Sequence, residues 1–248
     1  MHLLPAVRLI VFTLPFLAVA ALRAGILEDR DIEDAIERSY VFREVLIDRS
    51  MVQLYIRHGA VELRGQVADE RERDLLVYMI ANLRYVEHVD NRLFVDSAGR
   101  RAWPNWRAAR IRSHIQTERD FDATNVQIAS RDGALELTGT VRTDTQRLAV
   151  AERVRLLDAE RIPLNRLQID PTRVSGPELD DASVAAMVRC ALEALPVSPD
   201  PTRKISSRRG EITITGAPVS SADAAELTRH ATAVRGVTRV VNRLATRE

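Results

Sequence analysis

Gly59-Ala-Val-Glu-Leu-Arg-Gly65-Gln-Val67 places two glycines six residues apart, with apolar side chains alternating between them. The same arrangement returns in Gly133-Ala-Leu-Glu-Leu-Thr-Gly139-Thr-Val141 and in Gly210-Glu-Ile-Thr-Ile-Thr-Gly216-Ala-Pro218. An Asn-Arg-Leu tripeptide follows each copy, and its asparagine lies 26 residues after the second glycine, at Asn91, Asn165 and Asn242. The period is 74 and then 77 residues, which is too long for a solenoid unit and long enough for a small domain. The chain therefore contains a unit repeated three times.

Each unit predicts a β-hairpin. Apolar alternation on both sides of the first glycine indicates two strands, and the glycine suits a turn that needs a positive φ. The turn glycines are Gly59, Gly133 and Gly210. The second glycine closes the second strand, where a bulge or a close backbone approach is expected. The closing glycines are Gly65, Gly139 and Gly216.

Helices flank the hairpin in each unit. One helix precedes it, and a second begins at a capping residue four positions past the second glycine, ahead of apolar residues at i, i+4 and i+7 spacing. These caps are Asp69, Thr143 and Ser220. A last strand carries Asn-Arg-Leu, and its asparagine is predicted to tie that strand to a neighbouring loop. In the second unit, Pro163 predicts a last strand that is an edge or frayed at its start.

The sequence therefore predicts an α+β fold of three tandem α-β-β-α-β domains, each with two helices packed on a three-stranded sheet. Segments rich in glycine, proline and small polar residues separate the units. The predicted domains are residues 28–96, 104–170 and 179–247.

The first 25 residues have the layout of an export signal. Arg8 precedes a run of 14 almost entirely apolar residues, and Ala18-Val-Ala20 is a small-x-small site. The run is short for a membrane span, which needs about 20 apolar residues. Arg23 follows the run directly and keeps a second interpretation open, in which residues 7–23 anchor the chain in the inner membrane. Residues 1–23 are therefore predicted to be a cleaved signal or a short anchor, and the protein is predicted to lie in a bacterial periplasm.

Composition excludes several classes of protein. Lysine and arginine number 36 against 35 aspartates and glutamates, so no basic excess points to a nucleic-acid binder. The single cysteine, Cys190, cannot form an internal disulfide or a cysteine-rich zinc site and is predicted to be a semi-buried structural residue. The five histidines include no ligand-like pair. No motif for nucleotide, metal or nucleophile chemistry is present, so the sequence predicts no cofactor, no metal site and no enzyme activity.

The first helix, the G-x-V-x-L-x-G-x-V hairpin, the capped helix and the final V-x-x-V-x-N-x-L together resemble the BON domain. Val86-Glu-His-Val89-Asp-Asn91 fits the final element in the first copy, and the third copy fits equally well, whereas the second has Glu160 and Pro163 at the valine positions. The resemblance covers roughly residues 28–247. It implies an exported or membrane-attached bacterial protein that binds phospholipid surfaces and supports envelope integrity under stress, osmotic stress included. It implies no catalytic residue.

Two stretches of the sequence are candidates for a binding site. Trp103-Pro-Asn-Trp106-Arg107-Ala-Ala-Arg110 holds both tryptophans, and it is the best candidate for a lipid contact. Tryptophan favours the headgroup level of a membrane, and each arginine near an anionic surface contributes about 1 kcal/mol. An alternative remains open, in which the tryptophans pack the first unit against the second. The run of acidic and arginine residues over 69–74 is predicted to be a solvated first helical turn favoured by the helix dipole.

The leading hypothesis is an exported, non-catalytic protein that binds anionic phospholipid surfaces through several weak modules. The alternative is a periplasmic scaffold that binds other proteins, envelope proteins included, through exposed sheet edges or helices. The adhesion hypothesis also predicts three superimposable lobes, with no deep cleft that gathers polar side chains from several of them.

Overall fold

The computed structural model describes residues 28–95, 106–119, 121, 125–131, 133–158, 162–172, 179–197 and 200–247. Within these ranges a helix, a hairpin, a second helix and a further strand follow one another three times, which confirms the predicted α+β fold. We call residues 28–95 repeat 1, residues 106–172 repeat 2 and residues 179–247 repeat 3.

The elements of repeat 1 are α1 (28–38), a π-helical turn (Val41–Val45), a 3₁₀ turn (Arg49–Met51), β1 (Val52–Arg57), β2 (Ala60–Val67), α2 (Glu70–Ala81) and β3 (His88–Val95). Those of repeat 2 are α3 (Trp106–Gln116), β4 (Val126–Arg131), β5 (Ala134–Val141), α4 (Asp144–Leu157), β6 (Leu164–Asn165) and β7 (Gln168–Ile169). Those of repeat 3 are α5 (Asp181–Glu193), β8 (Lys204–Arg208), β9 (Glu211–Thr215), β10 (Val219–Ser220), α6 (Ser221–Thr232), β11 (Arg239–Asn242) and β12 (Thr246–Arg247).

Residues 1–23, predicted to be an export signal or anchor, lie outside the described residues. Among the helices that the structure describes, none combines the length and the apolar character that a membrane span requires.

The three sheets share one topology. The middle strand pairs antiparallel with the other strand of its hairpin and parallel with the strand that follows the second helix. Because side chains alternate along a strand, one face of each sheet carries buried residues such as Val61 and Leu63 of β2 and packs on the helices. The residues between them lie on the opposite face, which we call the outer face.

A two-residue turn closes the hairpin of repeat 1. His58 and Gly59 have φ values of 51° and 76°, the paired left-handed conformation that matches the twist of the two strands. The carboxylate of Asp29 in α1 accepts hydrogen bonds from the N–H groups of both residues, each at 2.9 Å. Repeat 3 repeats this geometry with Arg209, Gly210 and Asp181. In each case a carboxylate on the first helix therefore ties that helix to the tip of the hairpin.

The last strand of repeat 2 is short and lies at the sheet edge. β6 begins at Leu164, directly after Pro163, and pairs with β5 over two residues only. Pairing resumes over two more residues in β7. The fraying that the proline predicts is confirmed, since Pro163 has no N–H to donate. Ile162, just before the strand, is 82% exposed.

The repeats do not form three separate cores. The buried residues of repeats 1 and 3 make one continuous cluster, in which α2 packs on α5, whereas repeat 2 has a cluster of its own. Leu76 and Ile80 of α2 and Val188 and Leu192 of α5 are fully or almost fully buried in the shared cluster. The first and last repeats along the chain are therefore the most closely joined.

All three repeats meet at Tyr40. Its hydroxyl donates to the carbonyl of Gln116 in repeat 2 at 2.9 Å and accepts from Nη1 of Arg235 in repeat 3 at 3.0 Å. The guanidinium of Arg235 also lies over the Tyr40 ring, 5.2 Å from its centre. A β-bridge between Glu118 and Val234 joins repeats 2 and 3 beside this contact. These contacts make the three repeats one packed unit.

Candidate functional site

A central glutamate pairs with two arginines on the outer face of repeat 1 and with two on that of repeat 2. Glu62 of β2 binds Arg64 at 2.6 Å and Arg92 of β3 at 3.0 Å. At the equivalent place in repeat 2, Glu136 is paired with Arg131 at 2.9 Å and Arg166 at 3.1 Å. A central glutamate therefore holds the arginine of each Asn-Arg-Leu tripeptide in these two repeats.

Repeat 3 lacks this central glutamate. Counting from the turn glycine, Thr213 stands where Glu62 and Glu136 stand, and Arg243 is the arginine of the third tripeptide. Within the described part of the chain, no ion pair involves Lys204, Arg208 or Arg243, and all three are exposed. Because Thr213 replaces the glutamate, the outer face of repeat 3 is basic, and Arg208 interacts electrostatically with the Asp181 carboxylate beside it.

The basic face has a regular layout. β8 and β11 lie on the two sides of β9, so their cations stand at both edges and the hydroxyls of Thr213 and Thr215 lie between them. Glu211 is the one carboxylate on these strands, and it pairs with Arg239 at 3.3 Å. Hydroxyls that lie between exposed cations can bind an anionic surface through hydrogen bonds and charge.

Sequence reasoning missed this face although the signal was present. The residue three positions past each turn glycine is Glu62, Glu136 or Thr213, so aligning the three copies exposes the difference. The balance of basic and acidic residues in the whole repeats also shows that repeat 3 is more basic than repeat 1. Residues 28–97 carry ten arginines against sixteen acidic residues, whereas residues 180–248 carry ten basic residues against eight acidic ones.

The predicted tryptophan and arginine cluster is only partly described. Trp103 lies outside the described residues, and Trp106 is half-buried at the start of α3 with the Arg110 guanidinium 5.4 Å from its ring centre. Arg107 is engaged elsewhere, since its Nε donates to the buried carboxylate of Asp158 at 2.9 Å. A lipid contact at this cluster stays a prediction.

The tripeptide asparagines hold backbone groups. Asn165 and Asn242 each donate from Nδ2 to a carbonyl of the second helix of their repeat, at Arg147 and at Ala224. The side-chain oxygen of each asparagine, Asn91 included, accepts from the N–H two residues later. In repeats 2 and 3 the asparagine therefore ties the last strand to a helix, where the sequence suggested a loop.

A polar cleft of about 620 Å³ lies where the three repeats meet. Arg71 of repeat 1, His114 and Arg153 of repeat 2, and Cys190 and His230 of repeat 3 contribute to its walls. The prediction that no such cleft joins the repeats is wrong, because it followed from local patterns that do not show how the repeats pack. The helical turn over 69–74 is likewise not fully solvated: Glu72 is buried and accepts from the N–H of Ala68 at 2.7 Å.

The groups in the cleft are not poised for nucleophilic or metal chemistry. Burial raises the pKa of the Cys190 thiol to about 12, the opposite of the shift that activates a nucleophile. Burial lowers the pKa of His114 to about 4, so its imidazole is neutral at pH 7. Among the residues that the structure describes, no group of three or more histidine, cysteine or acidic side chains could hold a metal ion.

Two solved structures show limited similarity to the chain. The first, CdsD, a structural protein of the type III secretion system of Chlamydia trachomatis, is 17% identical over 88% of this chain and 91% of that chain, with a TM-score of 0.24. The second, the PrgH periplasmic domain, is 10% identical over 79% of this chain and 95% of that chain, with a TM-score of 0.21. These scores are too low to support an argument from either structure.

A family match agrees with the repeated topology. No curated protein sequence matches the chain. The family model described as the BON domain matches three times, at residues 28–97, 105–169 and 180–248. These matches cover most of the chain and include the hairpin, the second helix and the last strand of every repeat. The chain therefore belongs to the BON domain family and carries three BON domains in tandem.

Proposed function

We propose that this chain is a non-catalytic binding protein that attaches to anionic phospholipid surfaces through the outer face of repeat 3. BON domains are associated with envelope-related binding, and the family is generally non-catalytic. The observation that supports a lipid contact is the exposure of Lys204, Arg208 and Arg243, which form no ion pair among the described residues, on one face of the repeat 3 sheet. We also propose a periplasmic location, with residues 1–23 as export signal or anchor.

The magnitude of the contact follows from the number of free cations. Each lysine or arginine near an anionic membrane surface contributes about 1 kcal/mol, so three contribute roughly 3 kcal/mol. Attraction of this kind is screened within a distance of about 10 Å at 0.1 M salt. Binding is therefore weak, sensitive to salt and selective for anionic over zwitterionic lipid.

Vesicle cosedimentation tests this proposal. The full chain is expected to sediment with phosphatidylglycerol vesicles at low salt and to stay in solution with phosphatidylcholine vesicles. A Lys204→Gln, Arg208→Gln, Arg243→Gln variant is expected to lose about a hundredfold in affinity, which corresponds to the removal of roughly 3 kcal/mol of surface attraction.

The matched control removes three arginines from repeat 1. Arg57, Arg64 and Arg92 lie on its outer face, where Glu62 and Asp90 already neutralise two of them, so an Arg57→Gln, Arg64→Gln, Arg92→Gln variant should bind nearly as the parent does. Equal sedimentation with the two lipids, or an equal loss of vesicle binding in the two triple variants, would contradict the proposal. A loss seen only with Trp106→Ala and Arg110→Gln would transfer the contact to the sequence-predicted cluster.

A second candidate function is a scaffold for other envelope proteins. The frayed edge of repeat 2 favours it, because Ile162, Leu164 and Ile169 are 82%, 48% and 46% exposed beside a strand that offers few pairing partners. Two results together would favour this function over lipid binding. The parent chain would not bind vesicles, and an Ile162→Lys, Leu164→Lys variant would lose an envelope protein that co-purifies with the parent.

A further inference from the structure

The cleft between the three repeats contains an arginine that forms no ion pair among the residues that the structure describes. Arg71, in the first turn of α2, is half-buried, and its Nη2 donates to the hydroxyl of Thr117 in repeat 2 at 2.6 Å. An arginine carries five N–H donors and stays charged in proteins. Burial lowers the pKa of this guanidinium, and the nearby carboxylates of Asp69, Glu118 and Glu72 act in the opposite direction.

Three of the four acidic side chains that line the cleft are paired with arginines. Asp74, Glu118 and Glu193 line the walls, and each is paired with an arginine: Arg73 at 2.8 Å, Arg153 at 2.5 Å and Arg189 at 3.0 Å. Glu70 is exposed. Within the described residues, none of these carboxylates lies within ion-pair distance of Arg71, so its remaining N–H donors can bind an added anion.

Other donors surround the same space. Arg119 lines the cleft from repeat 2, and its Nη1 donates to the Thr232 carbonyl at 3.1 Å. The neutral imidazole of His114 can donate one N–H, and the ring of His230 lies on the repeat 3 side. Apolar atoms from Met187 and Ala191 cover part of the wall. The cleft thus combines the half-buried guanidinium of Arg71, further N–H donors and an apolar wall.

We propose that this cleft binds a small soluble anion that carries a phosphate or carboxylate group, and that Arg71 binds this group directly. The guanidinium fork of arginine matches both groups, because two parallel N–H donors meet two oxygens. The cleft volume of about 620 Å³ leaves room for an organic portion beside the apolar wall. This site is separate from the outer face of repeat 3 and goes beyond attachment to lipid.

Thermal unfolding of the full chain with added anions tests the site. Inorganic phosphate and citrate are the probes, and sodium chloride at equal ionic strength controls for general screening. A ligand that binds only the folded chain raises the unfolding temperature in a saturable way. We expect such a rise in the parent and in Arg243→Gln, and an apparent affinity at least tenfold weaker in Arg71→Gln.

A second variant, Arg71→Lys, covers the case in which Arg71→Gln does not fold. If Arg71→Gln does not fold, Arg71→Lys retains the charge but loses the fork, and it is expected to bind several-fold more weakly than the parent. A response to phosphate and citrate no larger than the response to sodium chloride, or equal responses in the parent and in the folded Arg71 variants, would overturn the proposal. Vesicle binding does not involve Arg71, so the two proposals fail separately.

Discussion

Replacing Gly65 by alanine is expected to lower the free energy of unfolding by about 3–5 kcal/mol. Gly65 ends the pairing of β1 with β2 opposite Val52 and has a φ of 111°, which side chains with a Cβ rarely adopt. An added Cβ would overlap the backbone carbonyl oxygen of Met51. Because the obstacle is backbone and not a flexible side chain, the hairpin must open to make room.

Gly139 has the same geometry in repeat 2, with a φ of 109° and the Asn125 carbonyl in the way, so Gly139→Ala should cost about as much. Urea unfolding followed by circular dichroism measures both effects. Gln53→Ala, an exposed substitution on the neighbouring strand, is the control and should change stability by less than about 0.5 kcal/mol. A Gly65→Ala loss below about 1 kcal/mol would contradict the close approach of the two strands.

Replacing Tyr40 by alanine is expected to cost about 3–5 kcal/mol and to uncouple the repeats. The side chain is 2% exposed, and its removal deletes the contacts to Gln116 and Arg235 together with the packing of the ring. Since these contacts join all three repeats, we expect the parent to unfold in one transition and the variant to unfold in more than one step. Differential scanning calorimetry measures the change.

Tyr40→Phe separates the hydroxyl from the ring. It keeps the packing and loses two hydrogen bonds, so a cost of about 1–3 kcal/mol is expected, with one transition retained. Tyr55→Ala, at a tyrosine that is 50% exposed on the outer face of repeat 1, should have little effect. A Tyr40→Ala chain that still unfolds in one step at the parent temperature would show that the repeats are not coupled at this residue.

The fold could be predicted because its signals are local. The hairpin glycines, the helix caps and the Asn-Arg-Leu tripeptides act within about 30 residues of sequence, and each copy supports the others. Pro163 acts on its own backbone, so the short last strand of repeat 2 was also predictable. A triplicated pattern of this kind determines topology before any long-range contact is known.

The packing between repeats was beyond sequence reasoning for a physical reason. Tyr40 and Arg235 are 195 residues apart, and neither belongs to a periodic pattern that marks its partner. The shared core of repeats 1 and 3 uses the same helical faces that any isolated domain would bury, so periodicity cannot assign them to one core or to two. The cleft that holds Arg71 exists only because of this packing.

The basic face of repeat 3 could be predicted from the sequence only in part. Its residues are local and were visible as a substitution of Thr213 for the glutamate of the other copies. Recognising its meaning required the pairing of Glu62 with Arg92 and of Glu136 with Arg166, which joins strands that are about 30 residues apart. The loss of one carboxylate then becomes a change in surface charge.

An NMR titration of the ¹⁵N-labelled chain with anionic micelles locates the membrane contact directly. The proposed function predicts that the largest shifts occur in β8, β9 and β11, at Lys204, Arg208 and Arg243 and their neighbours, and that zwitterionic micelles leave these signals in place. Shifts confined to repeats 1 and 2, or no difference between the two kinds of micelle, would contradict the assignment of lipid binding to repeat 3.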